Sequence, residues 1–302
     1  MYSTHSGATT GFRRAALRGL RWKDARAGDS MELKATRFET DGHVASVYLH
    51  RPHRHNAWTG RMHTEFRWIM AELEADDSIR SVVVTGTPPA FSVGADSEAL
   101  AKHADTGGYD NGLPPDPARP GINVRPEYDD DFAWMFGYRT PIIAAVNGAA
   151  AGIGLALALF ADLRFGAAGA KLTTAAPKLG LPAEYGMSWV LPRLIGVTRA
   201  ADLLLSGRIV TAAETDDWGL WNEVLPDGES ALAAAHEYAR MLSVTVGPHA
   251  VSVTKAQIYH DLHRHSAGGS VADSKRLLDE AMATGEYREG VAALREKRPP
   301  RF

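Results

Sequence analysis

PIIAAVNGAAAGIGLALALFADLRF, residues 141–165, carries no charge from Pro141 to Ala161 and is dominated by Gly and Ala. A membrane span needs ~20 apolar residues, and the run is long enough. Asn147-Gly148 is a turn signal near its start, however, and divides it into a short strand, Ile142–Asn147, and a helix beginning near Gly152. The run therefore reads as core: a buried parallel strand, a tight turn and a helix. GAAAGIG is the strand-to-helix turn. Bare backbone there leaves unpaired amides and the positive end of the helix dipole open to a ligand oxygen. Small residues also permit close helix packing, and this stretch alone does not separate the two uses. GIGLAL lacks the third glycine and the downstream acid of a dinucleotide fingerprint, and no GK[ST] follows as in a P-loop.

A second small-residue turn, FSVGAD (Phe91–Asp96), follows the strand SVVVTG (Ser81–Gly86) and leaves an amide open at Gly94-Ala95. Two amides from separate strand ends, aimed at one point, form an oxyanion hole. Elsewhere His43–Pro52 alternates as a strand, and Met62, Phe66, Ile69, Met70 and Leu73 mark an amphipathic helix over Thr59–Ala75. Residues 104–126, rich in Gly, Pro and Asp, read as an excursion, and LRFGAAGAKLTTA (163–175) holds at least one more strand. From about Thr211 strands are expected to give out in favour of helices at 231–244, 249–265, 270–284 and 286–297. The expected organisation is a mixed α/β core over residues 31–225 and a helical region over 226–302.

Composition narrows the function. The 302 residues are 45% hydrophobic and 23% charged with a net charge of −3, ordinary globular values that give no reason to expect nucleic acid or an anionic membrane as partner. The absence of cysteine excludes disulfides, thiolate metal sites and a cysteine nucleophile, and fits a reducing compartment; a cytoplasmic location is expected. The first 23 residues carry Arg and Lys but no acid and no apolar segment, so they do not read as a secretory signal. Their composition also suits an organelle transit peptide, and residues 1–30 are expected to be a disordered extension before Met31. Neither His50, His53 and His55 nor His260, His263 and His265 has an accepted zinc spacing, so no metal is expected. No GxSxG elbow is present, against a common serine hydrolase.

RPHRHNAW (Arg51–Trp58), AFSVGAD (Ala90–Asp96), the 141–165 stretch, SWVLPRLIG (Ser188–Gly196), LLLSGRIVTAAETDDWGLWNEVLP (Leu203–Pro226) and REKRPPRF (Arg295–Phe302) occur in that order. Together they resemble the crotonase superfamily, the enoyl-CoA hydratases and isomerases, over residues 31–302. The resemblance implies an α/β fold, a spiral of ββα units with a C-terminal helical region that builds trimers, often stacked as hexamers. It implies an acyl-CoA or enoyl-CoA thioester as ligand, with no cofactor beyond the coenzyme A of the substrate. The thioester enolate is held by two backbone amides, which here match Ala95 and Ile153. His53, Arg54 and Ala57 match the segment that cups the adenine and ribose of CoA. Lys297 matches a lysine that reaches a CoA phosphate, often of a neighbouring subunit.

The sequence departs from that pattern at the two classical glutamates, whose positions fall on Ala156 and Ala176. Alanine moves no protons, so the two-glutamate hydration route is not expected. Glu184 remains, where some isomerases of the family carry a single acid/base, and an enoyl-CoA isomerase-like reaction is the favoured expectation. The alternatives are an atypical hydratase, an acyl-CoA hydrolase, or an acyl-CoA-binding protein without catalysis. A purely structural Glu184 is expected to pair with Arg193 or another basic group. Asp96 has a lesser claim, as a group shaping its loop, and Trp134, Phe136, Tyr138, Tyr185 and Trp189 are either acyl-pocket or core residues.

Overall fold

A run of valines sets the centre of the fold. Val82, Val83 and Val84 are buried on both faces of their strand, as parallel strands covered on both sides must be. The structure, a computed structural model, describes residues 31–106, 110, 112–121 and 124–302; the expectation for residues 1–30 lies outside them. In chain order the elements are β1 Thr36–Asp41, β2 Val44–Leu49, α1 Gly60–Ala75, β3 Ser81–Gly86, α2 Ser97–Thr106, β4 Ile142–Val146, β5 Ala150–Ala151, α3 Ile153–Phe160, β6 Leu163–Ala167, β7 Lys171–Thr173, α4 Met187–Ser206, β8 Val210–Thr211, β9 Glu223–Leu225, α5 Gly228–Thr245, α6 Pro248–Asp261, α7 Ala267–Met282 and α8 Gly285–Glu296.

Six strands form one sheet in the order β1-β2-β3-β4-β6-β9, antiparallel only between β1 and β2. A second sheet, β5-β7-β8, takes its first strand from the GAAAGIG turn itself. One face of the large sheet packs on α5, whose Ala235 and Ala239 sit against Val83, Ile143, Ala145 and Phe165. Four-residue spacing puts these alanines on one stripe, and their small size lets the helix lie close. The other face carries the main core, in which Met62, Phe66, Ile69 and Met70 of α1 meet Val82, Val84 and Ile142.

The helix and strand expectations hold for 43–52, 59–75, 81–86, 142–147 and the four C-terminal helices. One expectation is corrected: strands do not give out after Thr211, because β9 pairs in parallel with β6 as an edge strand. Three residues are too few to show alternation. The excursion at 104–126 begins within α2. The helices after Leu225 are also tied to the core by more than α5. From α6, Lys255 Nζ donates to Asp162 Oδ2 at 2.7 Å and to Thr140 O at 3.1 Å, and Tyr259 Oη donates to Asp162 Oδ1 at 2.7 Å. A buried lysine holds its charge only when so paired.

Candidate active site

The two small-residue turns lie side by side. Ser92 and Ala150 pair in parallel, with Ser92 N donating to Ala149 O at 3.1 Å and Ala151 N donating to Ser92 O at 3.0 Å. The glycines make this approach possible. A β-carbon on Gly148 would stand 2.4 Å from Pro89 O, and one on Gly154 2.4 Å from Ser92 O. Close packing, one of the two uses open at the sequence level, therefore accounts for Gly148 and Gly154.

Gly152 is different. It caps α3 with φ 48° and ψ −122°, a conformation that L-residues avoid. A β-carbon there would meet no wall nearer than 4.0 Å, and one of the atoms at that distance is Glu184 Oε2. The other is the backbone oxygen of Thr174, so the turn is less crowded than at Gly148 or Gly154.

Ala95 and Ile153 are each three residues beyond the Ser92–Ala150 pair. In the bridge between Trp58 and Ala95, Trp58 N donates to Gly94 O at 2.7 Å and Asp96 N to Trp58 O at 2.9 Å, leaving the Ala95 amide outside the pairing. Ile153 is the first residue of α3, where helix geometry supplies no acceptor for its amide. Among the described residues neither amide has an acceptor.

Glu184 stands between β7 and α4, itself half-buried in a mostly exposed stretch ahead of the helix. Its carboxylate has no hydrogen bond or ion pair among the described residues. Burial pushes its pKa above the usual carboxylate range, and no opposing charge offsets that. Arg193, the partner that a structural role would have used, is engaged elsewhere. Its guanidinium lies 3.8 Å from the Trp189 ring centroid, and its Nη1 donates to Trp189 O at 2.9 Å.

Asp96 is 4% exposed and accepts from Arg51 Nη1 at 2.9 Å and from the Glu98 amide at 3.0 Å. Burial raises its pKa, but the Glu98 amide and the Arg51 guanidinium outweigh that and hold it below the usual range. An acid so held keeps its loop in shape and gives up no proton near neutrality.

The turn carrying His53, Arg54 and Ala57 runs straight into Trp58, and so adjoins Ala95. His53 is exposed and Ala57 buried; Arg54 Nη2 meets Glu98 Oε1 at 2.8 Å and Asp96 Oδ1 at 3.6 Å. The pivot of the turn is a residue that sequence reasoning passed over. Buried Asn56, at φ 56°, accepts from Arg51 N at 2.9 Å and donates to Thr87 O and Ala90 O at 2.8 and 2.7 Å. Lys297, exposed at the end of α8, is not brought to this turn by any contact among the described residues. Trp134, Phe136 and Tyr138 are buried core rings, whereas Tyr185 and Trp189 are half-buried.

The family model for enoyl-CoA hydratase/isomerase matches residues 39–302. The chain belongs to the enoyl-CoA hydratase/isomerase family. A Thermus thermophilus protein assigned as an enoyl-CoA hydratase is 36% identical, the match covering 86% of this chain and 98% of that protein. The 1,2-epoxyphenylacetyl-CoA isomerase of Escherichia coli is 32% identical over 86% of this chain and 94% of its own. A crystal structure from Mycobacterium abscessus, assigned as an enoyl-CoA hydratase/isomerase, superposes with a TM-score of 0.76 at 32% identity, covering 88% of this chain and 98% of that one. The crotonase fold and an enzyme of this family are thereby established. Ala156 and Ala176 are both fully buried, the first in α3 and the second in the turn after β7.

Proposed function

We propose that this enzyme shifts the double bond of an enoyl-CoA thioester, with Glu184 as its single acid/base and the amides of Ala95 and Ile153 as the oxyanion hole. The observation that carries the reading is the unpaired Glu184 carboxylate, raised in pKa by burial and facing Gly152 at the head of α3. In a 3-enoyl-CoA, the Glu184 carboxylate takes a proton from C2. The electron pair moves into the thioester, and the dienolate oxygen accepts from both amides. Returning the proton to C4 leaves the double bond between C2 and C3. One base suffices because the carboxyl that takes a proton from C2 can give one to C4. An amide donor of this kind contributes roughly 2.7–4 kcal/mol to the transition state in an enclosed site. Hydration lacks its second acid, since Ala156 and Ala176 are buried methyl groups.

CoA recognition by His53, Arg54 and Ala57, with Lys297 reaching a phosphate on a neighbouring subunit, belongs to the same proposal. So does assembly into trimers or hexamers, which is supported by apolar side chains left bare on the single chain: Leu205 is 81% exposed, Leu294 78% and Val197 73%. Light scattering in solution tests the assembly, and a monomer would refute it. Among the described residues no helix is long and apolar enough to cross a membrane.

Incubation with a 3-enoyl-CoA tests the reaction. Isomerisation raises the conjugated-thioester absorbance, hydrolysis releases free thiol, and hydration of a 2-enoyl-CoA removes conjugation. The account expects the first, and expects Glu184→Gln to abolish it. Thiol release or hydration without isomerisation contradicts the account.

A further inference from the structure

A cavity of about 40 Å³ lies where the segment before β4 meets α6. It has room for about three waters or one small oxyanion. Its lining combines two kinds of residue. Phe136 and Tyr138 are buried rings, and the hydroxyl of buried Tyr128 donates to Tyr259 O at 2.7 Å across the two segments. The polar groups are Arg125, Arg139, His260 and the Ser252 hydroxyl. Among the described residues that line the cavity, none is acidic.

These cations keep donors to spare. Arg139 Nη1 meets Asp77 Oδ1 at 2.9 Å and its Nη2 donates to Glu74 O at 2.8 Å, but its Nε is buried without an acceptor. A buried donor left unpaired costs free energy that an acceptor beside it recovers. Arg125 meets Glu127 at 3.4 Å with both side chains largely in solvent, and so exposed a pair holds a guanidinium weakly. Arg264 Nη2 lies 3.5 Å from His260 Nδ1. In the tautomer that this contact assigns, the other ring nitrogen of His260 carries the proton and is a donor.

We propose that this cavity binds one small oxyanion, a phosphate or a carboxylate, through Arg125, Arg139, Ser252 and His260, and that it is separate from the site of Glu184. Guanidinium groups hold such oxygens by charge-assisted bonds, and the surrounding rings lower the local dielectric and strengthen them. None of Ala95, Ile153, Glu184, His53, Arg54 and Ala57 lines the cavity. Two rings separate it from the start of α4: a β-carbon on Gly186 would stand 3.3 Å from Phe160, whose ring lies 5.1 Å from that of Phe136. A bound ion bridges the segment before β4 to the C-terminal helices. The inference does not depend on the reaction proposed above.

Titration calorimetry of the full chain with inorganic phosphate, at an ionic strength held constant with chloride, tests it. One saturable site per chain is expected, with a Kd of about 1 mM or tighter, the range of two or three charge-assisted bonds to one ion. Arg125→Gln is expected to weaken binding at least about tenfold, while Arg276→Gln, at an exposed position on α7 outside the cavity, leaves it unchanged. Acetate in the same titration separates the two sources, since a carboxylate site takes acetate in preference to phosphate. Saturable binding of neither anion to the wild type, which needs no variant, overturns the inference. Binding that survives Arg125→Gln overturns it as well, by showing an adventitious ion only. Displacement of the anion by free CoA contradicts a separate site, because the cavity would then serve CoA.

Discussion

Glu184 Oε2 lies 4.0 Å from the point where a β-carbon would stand on Gly152. That one distance ties the candidate base to the turn that opens α3. Gly152→Ala places a methyl group against the carboxylate and forces a side chain into φ 48°, ψ −122°. The strain should lower unfolding free energy by about 1–3 kcal/mol, read by thermal or urea denaturation. Turnover of a 3-enoyl-CoA should fall roughly a hundredfold, as for a small misplacement at a reacting centre. A fully active, equally stable variant would remove Gly152 from the account.

Gly154 serves packing rather than access. A β-carbon there would stand 2.4 Å from Ser92 O and 2.7 Å from Ser92 Cβ, so Gly154→Ala must push the two turns apart. The expected destabilisation is about 1–3 kcal/mol, accompanied by a fall in kcat as Ala95 and Ile153 separate. Gly169→Ala is the control: nothing lies within 4 Å of its β-carbon position, and its stability should stay within about 0.5 kcal/mol of wild type.

The pH dependence of Glu184 has a defined sign. Its folded pKa is raised by burial, so between its unfolded and folded values the native state binds more protons than the unfolded state. Stability contributed by this group therefore falls as pH rises through that window. Glu184→Gln should raise the unfolding midpoint relative to wild type at neutral pH and lose that advantage below about pH 4, near the ordinary carboxylate value. In the wild type, isomerisation should rise with pH through the same raised value, because the ionised form is the base.

Asp96 titrates with the opposite sign. Its folded pKa is depressed, so its contribution is complete above the ordinary value and is lost as pH falls through the folded one. Asp96→Ala leaves Arg51, 19% exposed, without its carboxylate at 2.9 Å. The cost should be about 2–3 kcal/mol, less than the 3–5 of a fully buried pair because Arg51 reaches solvent. The difference in midpoint between wild type and variant should shrink below about pH 4. A difference independent of pH would show that packing, not charge, was removed.

Much of this site was legible in the sequence because its signals are local. Asn147-Gly148 divides an apolar run too long for one strand, and the turn after it starts a helix where the second candidate amide falls. Glu184 as the remaining acid is what the family resemblance implies once the two classical positions fall on Ala156 and Ala176. What stayed hidden was set by contacts between distant segments. β5, β7 and β8 have two or three residues each and exist only because they pair with one another. The split between Gly154, pressed on Ser92, and Gly152, facing Glu184, depends on what lies opposite each glycine. The freedom of Glu184 depended on whether Arg193 pairs with it, and Arg193 stacks on Trp189 instead. Phe132 and Tyr185 carry no sequence mark of their positive φ, a conformation that bulky L-residues rarely adopt.

The central claim is that Glu184 removes an α-proton from a thioester held by the Ala95 and Ile153 amides. Exchange of the α-protons of butanoyl-CoA in deuterated water, followed by mass spectrometry, measures that step alone, since this thioester has no double bond to shift or hydrate. The wild type should incorporate deuterium at C2, and Glu184→Gln should slow incorporation by at least about a hundredfold, the usual contribution of a positioned base. Incorporation by Glu184→Gln at the wild-type rate, or none by a folded wild type that binds the thioester, would contradict the account.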